Sequence, residues 1–243
     1  MQRHRFYAPP AQVNQKQILL NEDEAHHLTR VLRLNQGATV YAFDGAGNEY
    51  KCRIAQADKR AVTLDLQHQL TDAVDSPLRL TLAQALVKGD KFDWIVQKAT
   101  ELGVTRIVPL ITDNSDIRKA EDRAEQKLAR WRRIALEAVK QCGRRKLVEI
   151  IEPQGFAEFC ANDQSELRWL LAERDGQPMP QYREAVASLS VAIGPEGGWS
   201  DAEFRTAQQH QFVALQLGRR VLRTETAALV ALTLAQANCG DWR

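Results

Sequence analysis

Residues 191–204, VAIGPEGGWSDAEF, and residues 215–229, LQLGRRVLRTETAAL, determine the fold that we expect for the C-terminal part of this chain. Each stretch passes from an apolar run, typical of a buried strand, through a glycine-containing turn to a helix start. In the first turn Pro195 fixes its own φ angle. Three glycines there can adopt positive φ and let a ligand approach the main chain closely: Gly194, Gly197 and Gly198.

Both helix starts carry side chains that can satisfy free main-chain amides. Ser200 and Glu203 have the spacing of a capping box, and Thr224 is expected to cap a helix over residues 225–235. Further amide donors then face each turn, which predicts a ligand site made largely of main-chain groups. For either stretch taken singly, an ordinary strand-to-helix turn is the alternative.

The two turns lack the motifs of the common nucleotide-binding loops. No Gly-x-x-x-x-Gly-Lys-Ser/Thr string occurs, and the glycines at 194–198 do not have the Gly-x-Gly-x-x-Gly spacing of a dinucleotide site. The first turn carries a carboxylate, Glu196, and no cation, so we expect it to repel phosphate. A neutral or cationic ligand with hydrogen-bonding edges fits this turn better.

The composition is that of a protein with one large or two modest domains. Of 243 residues 44% are hydrophobic, but no apolar run approaches the roughly 20 residues that cross a bilayer. The basic N-terminus lacks the apolar segment of a secretory signal. The four cysteines are widely separated, which argues against structural zinc and a disulfide framework and predicts a cytoplasmic location. His26 and His27 are adjacent and cannot easily chelate one ion, so no metal is predicted.

The positive charge is concentrated in one segment. Residues 115–150 contain 11 Lys or Arg against 6 Asp or Glu, a surplus of +5, although the whole chain carries only +2. Such a stripe is typical of a protein that binds a phosphate backbone, and a solvated helix face is the alternative. In this segment Trp131 is expected to pack in the core, whereas Arg132, Arg133, Arg144, Arg145 and Lys146 are expected to face RNA or solvent.

Residues 1–72 predict a small β-rich domain. Strand-like runs cover 39–43, 49–54 and 61–66, with turns at 44–48 and 58–60, and a helix over 24–34 leaves Arg30 and Arg33 outward. The polar segment 73–77, which Pro77 closes, is the predicted linker.

Residues 78–243 predict a second domain in which strands and helices alternate. Strands are expected at 78–85, 106–111, 167–172, 191–193 and 215–217, and helices at 90–102, where Gly103 ends the helix, and at 121–142. The alternation predicts a parallel sheet with helices on both faces, and ligands in such sheets lie beyond the carboxyl ends of the strands.

Together the two glycine-containing stretches resemble the signatures of the RsmE family of SPOUT-class methyltransferases. Further matches follow the family's order along nearly the whole chain: 3–7, 26–33, 88–94, 97–104 and 141–144. The chain departs from the family's pattern at Lys140, where Glu is frequent, and at Arg219, where Pro is frequent. The first departure argues against a catalytic carboxylate at that position, and the second changes the stiffness of the second loop.

The resemblance implies an α/β SPOUT methyltransferase domain with a parallel sheet and a C-terminal trefoil knot, preceded by a PUA-like β-barrel. The sequence pattern itself reveals no knot. The resemblance also implies S-adenosyl-L-methionine as cofactor and N3 of a uridine in 16S ribosomal RNA, free or in an assembled small subunit, as methyl acceptor. It further implies a homodimer, with which the apolar helix over 226–237 is compatible.

The cofactor pocket that the resemblance implies is formed by the loops of the knot. Its residues are Leu171, Ala172, Ile193, Gly194, Glu196, Gly197, Gly198, Leu217, Gly218, Val221, Leu222 and Thr226. Core packing is the alternative for the leucines, and Glu196 is expected to orient loop amides.

Arg223 is the main catalytic candidate, because a guanidinium can stabilise a uridine anion or hold a phosphate bidentately. Glu225 can accept the imino proton or simply favour the helix N-terminus by its charge. Glu173 is a second carboxylate candidate for that proton.

Eight arginines are candidate RNA contacts: Arg3, Arg5, Arg30, Arg33, Arg132, Arg133, Arg144 and Arg145. Arg3 and Arg5 alternate with Phe6 and Tyr7, which suits phosphate contacts and base stacking, with a frayed N-terminus as the alternative.

Three classes of function remain open. The first is a methyltransferase acting on this uridine or another RNA nucleotide, and the second is a non-catalytic RNA-binding factor in ribosome assembly. The third is a small-molecule α/β enzyme that uses another nucleotide. The intact loops favour the first class over the second, and the missing phosphate motifs argue against the third.

Overall fold

The computed structural model describes residues 3–58, 61–115, 124–182 and 185–242. By its contacts the chain divides into two units, Met1–Asp75 with Val139–Leu147, and Ser76–Ala138 with Val148–Arg243. The sequence predicts one domain over residues 78–243, whereas the contacts of Val139–Leu147 join this segment to the first unit. Two positions of the predicted turn at 58–60 and the predicted helix start at Glu121 lie outside the described residues.

The first unit contains a five-stranded sheet in the order β1-β3-β4-β5-β2. Its strands are β1 (Arg5–Tyr7), β2 (Gln17–Leu20), β3 (Thr39–Phe43), β4 (Glu49–Ala57) and β5 (Val62–Gln69). β1 pairs with β3 in parallel, and the other pairs are antiparallel. The small β-rich unit is confirmed. A frayed N-terminus is wrong, because Phe6 is fully buried in β1.

The single helical region of the first unit changes geometry along its length. Helix α1 (Glu22–His26) begins after Asn21, whose side chain accepts a hydrogen bond from the Glu24 amide at 2.9 Å. A π-helical turn, His27–Val31, follows, and the chain then passes Arg33 at a φ of 53°. The predicted helix over 24–34 therefore ends early, although Arg30 and Arg33 are exposed as expected.

A buried ion cluster attaches Val139–Leu147 to the first unit. The Glu49 carboxylate accepts from Arg5 Nε at 2.6 Å and from Arg145 Nε at 3.1 Å, and these side chains are at most 6% exposed. Arg5 also donates to three main-chain carbonyls of the segment, at 2.8, 3.0 and 2.7 Å. Each buried charge thus has a partner, which offsets the cost of removing it from water.

Arg144 and Arg145 differ most from the sequence expectation. Arg144 Nε lies 3.2 Å from Asp75 Oδ1, and Arg145 also donates to Asp72. Burial lowers the pKa of Arg145, but the hydrogen bonds to Asp72 and Glu49 outweigh it, so this pKa lies above its ordinary value. The expectation that these two side chains face RNA or solvent is wrong for the chain as folded here, because counting charges along 115–150 gives no information about burial.

The second unit contains a parallel sheet in the order β12-β10-β11-β6-β7-β8, with β9 also paired to β7. Its strands are β6 (Arg79–Ala85), β7 (Arg106–Ile111), β8 (Glu149–Ile150), β9 (Gln154–Gly155), β10 (Leu167–Leu171), β11 (Ser188–Ile193) and β12 (Val213–Leu215). The predicted parallel sheet is confirmed. β8 and β9 were not predicted, since two residues are too few to show a periodicity.

Helices cover both faces of this sheet, because β11 is buried at all six of its positions. The helices are α2 (Lys91–Glu101), α3 (Ala124–Cys142), α4 (Phe156–Asn162), α5 (Asp201–Gln209) and α6 (Thr224–Cys239). α4 and α5 share one core with strand residues such as Ala83 and Leu170, whereas α6 contacts β6, β11 and α2. Gly103 follows α2 at a φ of 85°, as predicted, and Trp131 is buried.

Helix α6 is the last element of the described chain. Its fully buried residues, among them Ala228, Ala231 and Ala235, form one stripe, and Leu229, Val230 and Leu234 are half-buried. No described helix, α6 included, is long and apolar enough to cross a membrane. The trefoil knot stays a prediction, because strand order and register do not define the threading of α6.

Replacing Arg145 by Met should lower the free energy of unfolding by about 3 kcal/mol, because Glu49 stays buried with one cation instead of two. Arg106→Met is the matched control, since the Arg106–Glu149 pair is exposed on both sides and 3.4 Å apart. The control should cost less than about 1 kcal/mol. Urea unfolding followed by circular dichroism measures both variants, and equal losses would contradict a structural role for the buried cluster.

Candidate active site

A cavity of about 790 Å³ opens at the carboxyl ends of β10, β11 and β12. Its walls are residues 171–175, 193–199 and 216–224, with a few residues of α5 and α6. The two glycine-containing turns are therefore neighbours at one edge of the sheet, as the strand pattern predicts. The volume lies within the range of small-molecule sites, roughly 300–1,000 Å³.

Eleven of the twelve residues predicted to bind the cofactor line this cavity. The exception is Thr226, which is exposed on α6 and is not among the lining residues. Contact between any of these twelve residues and a ligand stays a prediction.

The glycines of the first turn serve different purposes. Gly198 has a φ of 70° with open space around it, as expected. Gly194 and Gly197 do not have positive φ, so that expectation is wrong for them. Instead, a Cβ at Gly197 would lie 2.9 Å from Asn114 Cβ, and one at Gly194 would lie 3.1 Å from the Trp199 ring. A side chain at Gly197 would therefore require Asn114 to shift, and one at Gly194 would require the Trp199 ring to move by a few tenths of an ångström.

Residues 112–115, which follow β7, hold the first turn and the start of α5. Asn114 Nδ2 donates to the carbonyls of Gly197 and Gly198 at 3.2 and 3.0 Å. The predicted capping box is present, and Glu203 accepts from the amides of both Ser200 and Asp113. Ser200 Oγ also lies 2.6 Å from Asp113 Oδ2. The turn is thus fixed by contacts with a loop that the sequence analysis did not connect to it.

Thr224 connects the two turns, and this connection was not predicted from the sequence. It is the first residue of α6 and does not cap the helix, so that prediction is wrong. Its hydroxyl donates to the Gly194 carbonyl at 2.7 Å and accepts from Gln84 Nε2 at 3.0 Å. Gln84 is fully buried in β6, and a polar residue within the otherwise apolar stretch 82–86 was the available signal for this contact.

Lys91 supplies a cation to the first turn, contrary to the expectation of an acidic turn without one. Its Nζ lies 2.8 Å from Glu196 Oε1 and 4.0 Å from Glu225 Oε2. Burial raises the pKa of Glu196, but the hydrogen bond from Lys91 outweighs this, and the pKa lies below its usual value. Lys91 is the first residue of α2, which follows β6, and β6 is the neighbour of β11 in the sheet. This position at the start of α2 was the available signal that Lys91 lies near the turn after β11.

The three catalytic candidates occupy different places. Arg223 and Glu173 are exposed and line the cavity. Glu225 is not among the lining residues, its side chain is 17% exposed, and its Oε2 accepts no hydrogen bond from the described residues. Arg223 and Glu173 thus line the same cavity, whereas Glu225 lies outside its lining.

The predicted RNA contacts fall into two groups. Arg5, Arg144 and Arg145 are buried in the first unit's ion cluster, whereas Arg3, Arg30 and Arg33 are exposed in the same unit. Arg3 lies over the Tyr41 ring, 4.9 Å from its centroid. On α3 both Arg132 and Arg133 are exposed, and Arg132 donates to the Ile150 carbonyl at 3.1 Å. No group of three His, Cys, Asp or Glu residues within the described ranges could hold a metal ion.

Comparisons with known proteins agree with this architecture. A family model described as an RNA methyltransferase domain matches residues 74–236, and one described as an RNA methyltransferase PUA domain matches residues 20–67. A ribosomal RNA small subunit methyltransferase E from Synechocystis is 34% identical, covering 97% of this chain and 77% of the relative.

Two solved structures superpose on nearly the whole chain. A methyltransferase from Legionella pneumophila with bound S-adenosylmethionine has a TM-score of 0.91 and 34% identity, over 99% of this chain and 100% of that one. A ribosomal RNA small subunit methyltransferase E from Neisseria gonorrhoeae, also bound to S-adenosylmethionine, has a TM-score of 0.92 and 32% identity, over the full length of both chains.

Thr224→Val should lower the free energy of unfolding by about 1–3 kcal/mol, because the Gly194 carbonyl loses this donor and Gln84 Nε2 keeps only the Ala85 carbonyl as acceptor. Thr224→Ser keeps the hydroxyl and should recover most of the loss. Thr226→Val, on the exposed side of the same helical turn, should change the free energy by less than about 0.5 kcal/mol. Thermal and urea unfolding measure the three variants, and equal effects of Thr224→Val and Thr226→Val would refute the buried link.

Proposed function

This chain belongs to the ribosomal RNA small subunit methyltransferase E family, and we propose that it uses S-adenosyl-L-methionine to methylate N3 of a uridine in small-subunit ribosomal RNA. The observation that carries the proposal is the cavity between three strand ends, lined by eleven of the twelve residues expected from the family signatures. The Legionella and Neisseria relatives, which superpose over nearly the whole chain, contain this cofactor.

The cavity has the chemistry that the cofactor requires. Leu171, Ile193, Leu217 and Leu222 offer apolar contacts to an adenine ring and to methylene groups. Main-chain groups of the turns offer hydrogen bonds, and the carboxylates at the mouth suit a positively charged sulfonium. S-adenosylmethionine supplies the methyl group when it is bound. The rigid turns, held by Asn114 and Thr224, fix where that group is presented.

Arg223 is placed to stabilise the uridine as its imino proton leaves. Its side chain is exposed, lines the cavity and stands immediately before α6. A guanidinium next to a uracil carbonyl oxygen would stabilise the negative charge that develops on the ring. Positioning and this charge stabilisation account for the catalysis without covalent chemistry by the protein.

Glu173 is the better placed of the two proposed proton acceptors. It is exposed and lines the cavity, whereas Glu225 lies behind the lining and 4.0 Å from the ammonium of Lys91. A proton acceptor must reach the bound uridine, and of these two carboxylates only Glu173 lines the cavity. Glu173→Gln should therefore slow methyl transfer more than Glu225→Gln in single-turnover assays, and the reverse order would assign the proton to Glu225.

RNA contacts in the first unit are proposed for Arg3, Arg30 and Arg33, which are exposed. Arg33 has a φ of 53° and follows a π-helical turn. Non-glycine residues keep such a conformation where function or packing requires it, and π-turns are frequent at functional sites. On α3, Arg132 and Arg133 remain proposed phosphate contacts.

We also propose a cytoplasmic homodimer. The half-buried residues Leu229, Val230 and Leu234 give α6 an apolar side that a second copy can cover. The ribosomal RNA substrate implies the cytoplasm. Sedimentation velocity at micromolar concentration should show a dimer, and a monomer there would contradict it.

Calorimetric titration tests the function directly. S-adenosylmethionine and S-adenosylhomocysteine should bind, whereas ATP and NAD should not, because the turns lack phosphate-binding motifs. Mass spectrometry of small-subunit ribosomal RNA should then show one 3-methyluridine after incubation with protein and cofactor. Binding without methylation would indicate a non-catalytic RNA-binding factor, and no binding would exclude the methyltransferase.

Arg223→Ala should reduce the single-turnover rate of methyl transfer at saturating RNA and cofactor by about 100-fold or more, the typical effect of removing one preorganised charge. Cofactor affinity should change little, because main-chain groups of the turns do that binding. Arg174→Ala, at the same cavity, is the control and should keep the rate. If Arg223→Ala weakens RNA binding but keeps the saturated rate, Arg223 is a phosphate contact and not a catalytic residue.

A further inference from the structure

The loop between β12 and α6 presents cations that no part of the proposed chemistry uses. Arg219 and Arg220, which together form the basic lip, are exposed and line the mouth of the cavity. In the described part of the chain neither has a hydrogen-bond or ion-pair partner. This distinguishes them from Arg144 and Arg145, whose guanidinium groups are bound by carboxylates.

Acidic residues of the neighbouring turns also line the cavity. Glu173 and Asp175 follow β10, and Asp201 begins α5, while Arg174 lies 3.9 Å from Asp201 and partly neutralises it. The basic lip therefore attracts a polyanion, whereas Glu173, Asp175 and Asp201 repel it. The charge asymmetry gives a bound phosphate backbone one favoured side.

The conformation of the loop displays the basic lip and does not bury it. Gly218 has a φ of 95°, and a Cβ at this position would meet nothing within 4 Å, so glycine serves the turn and not packing. Beyond the lip, Val221 is 71% exposed although it is apolar. An exposed apolar side chain next to two arginines suits a ribose or base beside phosphates.

We propose that Arg219 and Arg220 bind the phosphate backbone of single-stranded RNA at the cavity mouth. The proposal rests on the proposed function, because N3 lies on the pairing edge of uracil and can reach a methyl donor only when the base is unpaired. Phosphates flanking such a nucleotide then lie at the mouth. S-adenosylmethionine is a poorer partner for the basic lip, because it has no phosphate group and carries a positively charged sulfonium.

The test is the salt dependence of RNA affinity, measured by fluorescence anisotropy with poly(U) and the full-length protein. Each phosphate contact on single-stranded RNA contributes about 0.7 to the slope of log affinity against log salt. Arg219→Gln/Arg220→Gln should therefore reduce the slope by about 1.4 and weaken binding by about 25-fold at 0.1 M salt. Arg174→Gln/Arg205→Gln is the matched control, because it removes the same charge from the same cavity at residues away from the basic lip.

The outcomes separate this proposal from the proposed function. The control should keep the parent slope, and both double variants should keep the parent affinity for S-adenosylhomocysteine and the parent melting temperature. Equal slopes for the parent and Arg219→Gln/Arg220→Gln, equal losses in both double variants, or no poly(U) binding by the parent would overturn the basic lip. A loss of S-adenosylhomocysteine affinity would assign these arginines to the cofactor instead. The poly(U) slope does not depend on methyl transfer, so failure of methylation alone would refute the function and not the lip.

Discussion

One buried hydroxyl determines the shape of the cavity. Thr224 donates to the carbonyl of Gly194 and accepts from the amide of Gln84, so it joins the turn after β11, the end of β6 and the start of α6. Gln84 and Thr224 are buried, so an unmade hydrogen bond at either side chain would cost free energy. The separation of the two turns, and with it the space for a cofactor, follows from this contact. Asn114 and Trp199 secure the same turn from the sides, by hydrogen bonds to Gly197, Gly198 and Leu171.

A cluster of arginines in the sequence does not establish that their side chains are exposed in the fold. The sequence predicts nucleic-acid contacts for Arg5, Arg144 and Arg145. Their guanidinium groups instead pair with carboxylates of the first unit, and Arg5 also donates to main-chain carbonyls there. The exposed cations of the second unit include those of the loop before α6 and, on α3, Arg133 and Arg132, of which Arg132 also donates to the Ile150 carbonyl. Burial thus makes these arginines part of the interior of the first unit, because a side chain that is at most 8% exposed offers little surface to a phosphate.

The sequence predicts the features that depend on local patterns. The strands β3, β6, β7, β10 and β11, the capping box at Ser200 and the end of α2 at Gly103 follow from periodicity and from single-residue conformational preferences. The pairing of Lys91 with Glu196 spans 105 residues, so no local pattern contains it. The same holds for the reason that Gly194 and Gly197 are glycines, which is the approach of Trp199 and Asn114. The gathering of three loops was predictable because parallel strands end at one edge, and the contacts between them were not.

The place of Val139–Leu147 has a consequence for how this chain folds. Glu49 pairs with Arg145, 96 residues later, and Arg5 donates to carbonyls as far as 139 residues away. The first unit therefore cannot complete its polar interior while only its own strands have left the ribosome. Closing so long a loop is entropically costly, and pairings of high sequence separation form slowly. Completion of the first unit therefore requires Val139–Leu147, a segment that is synthesised only after residues 76–138 of the second unit.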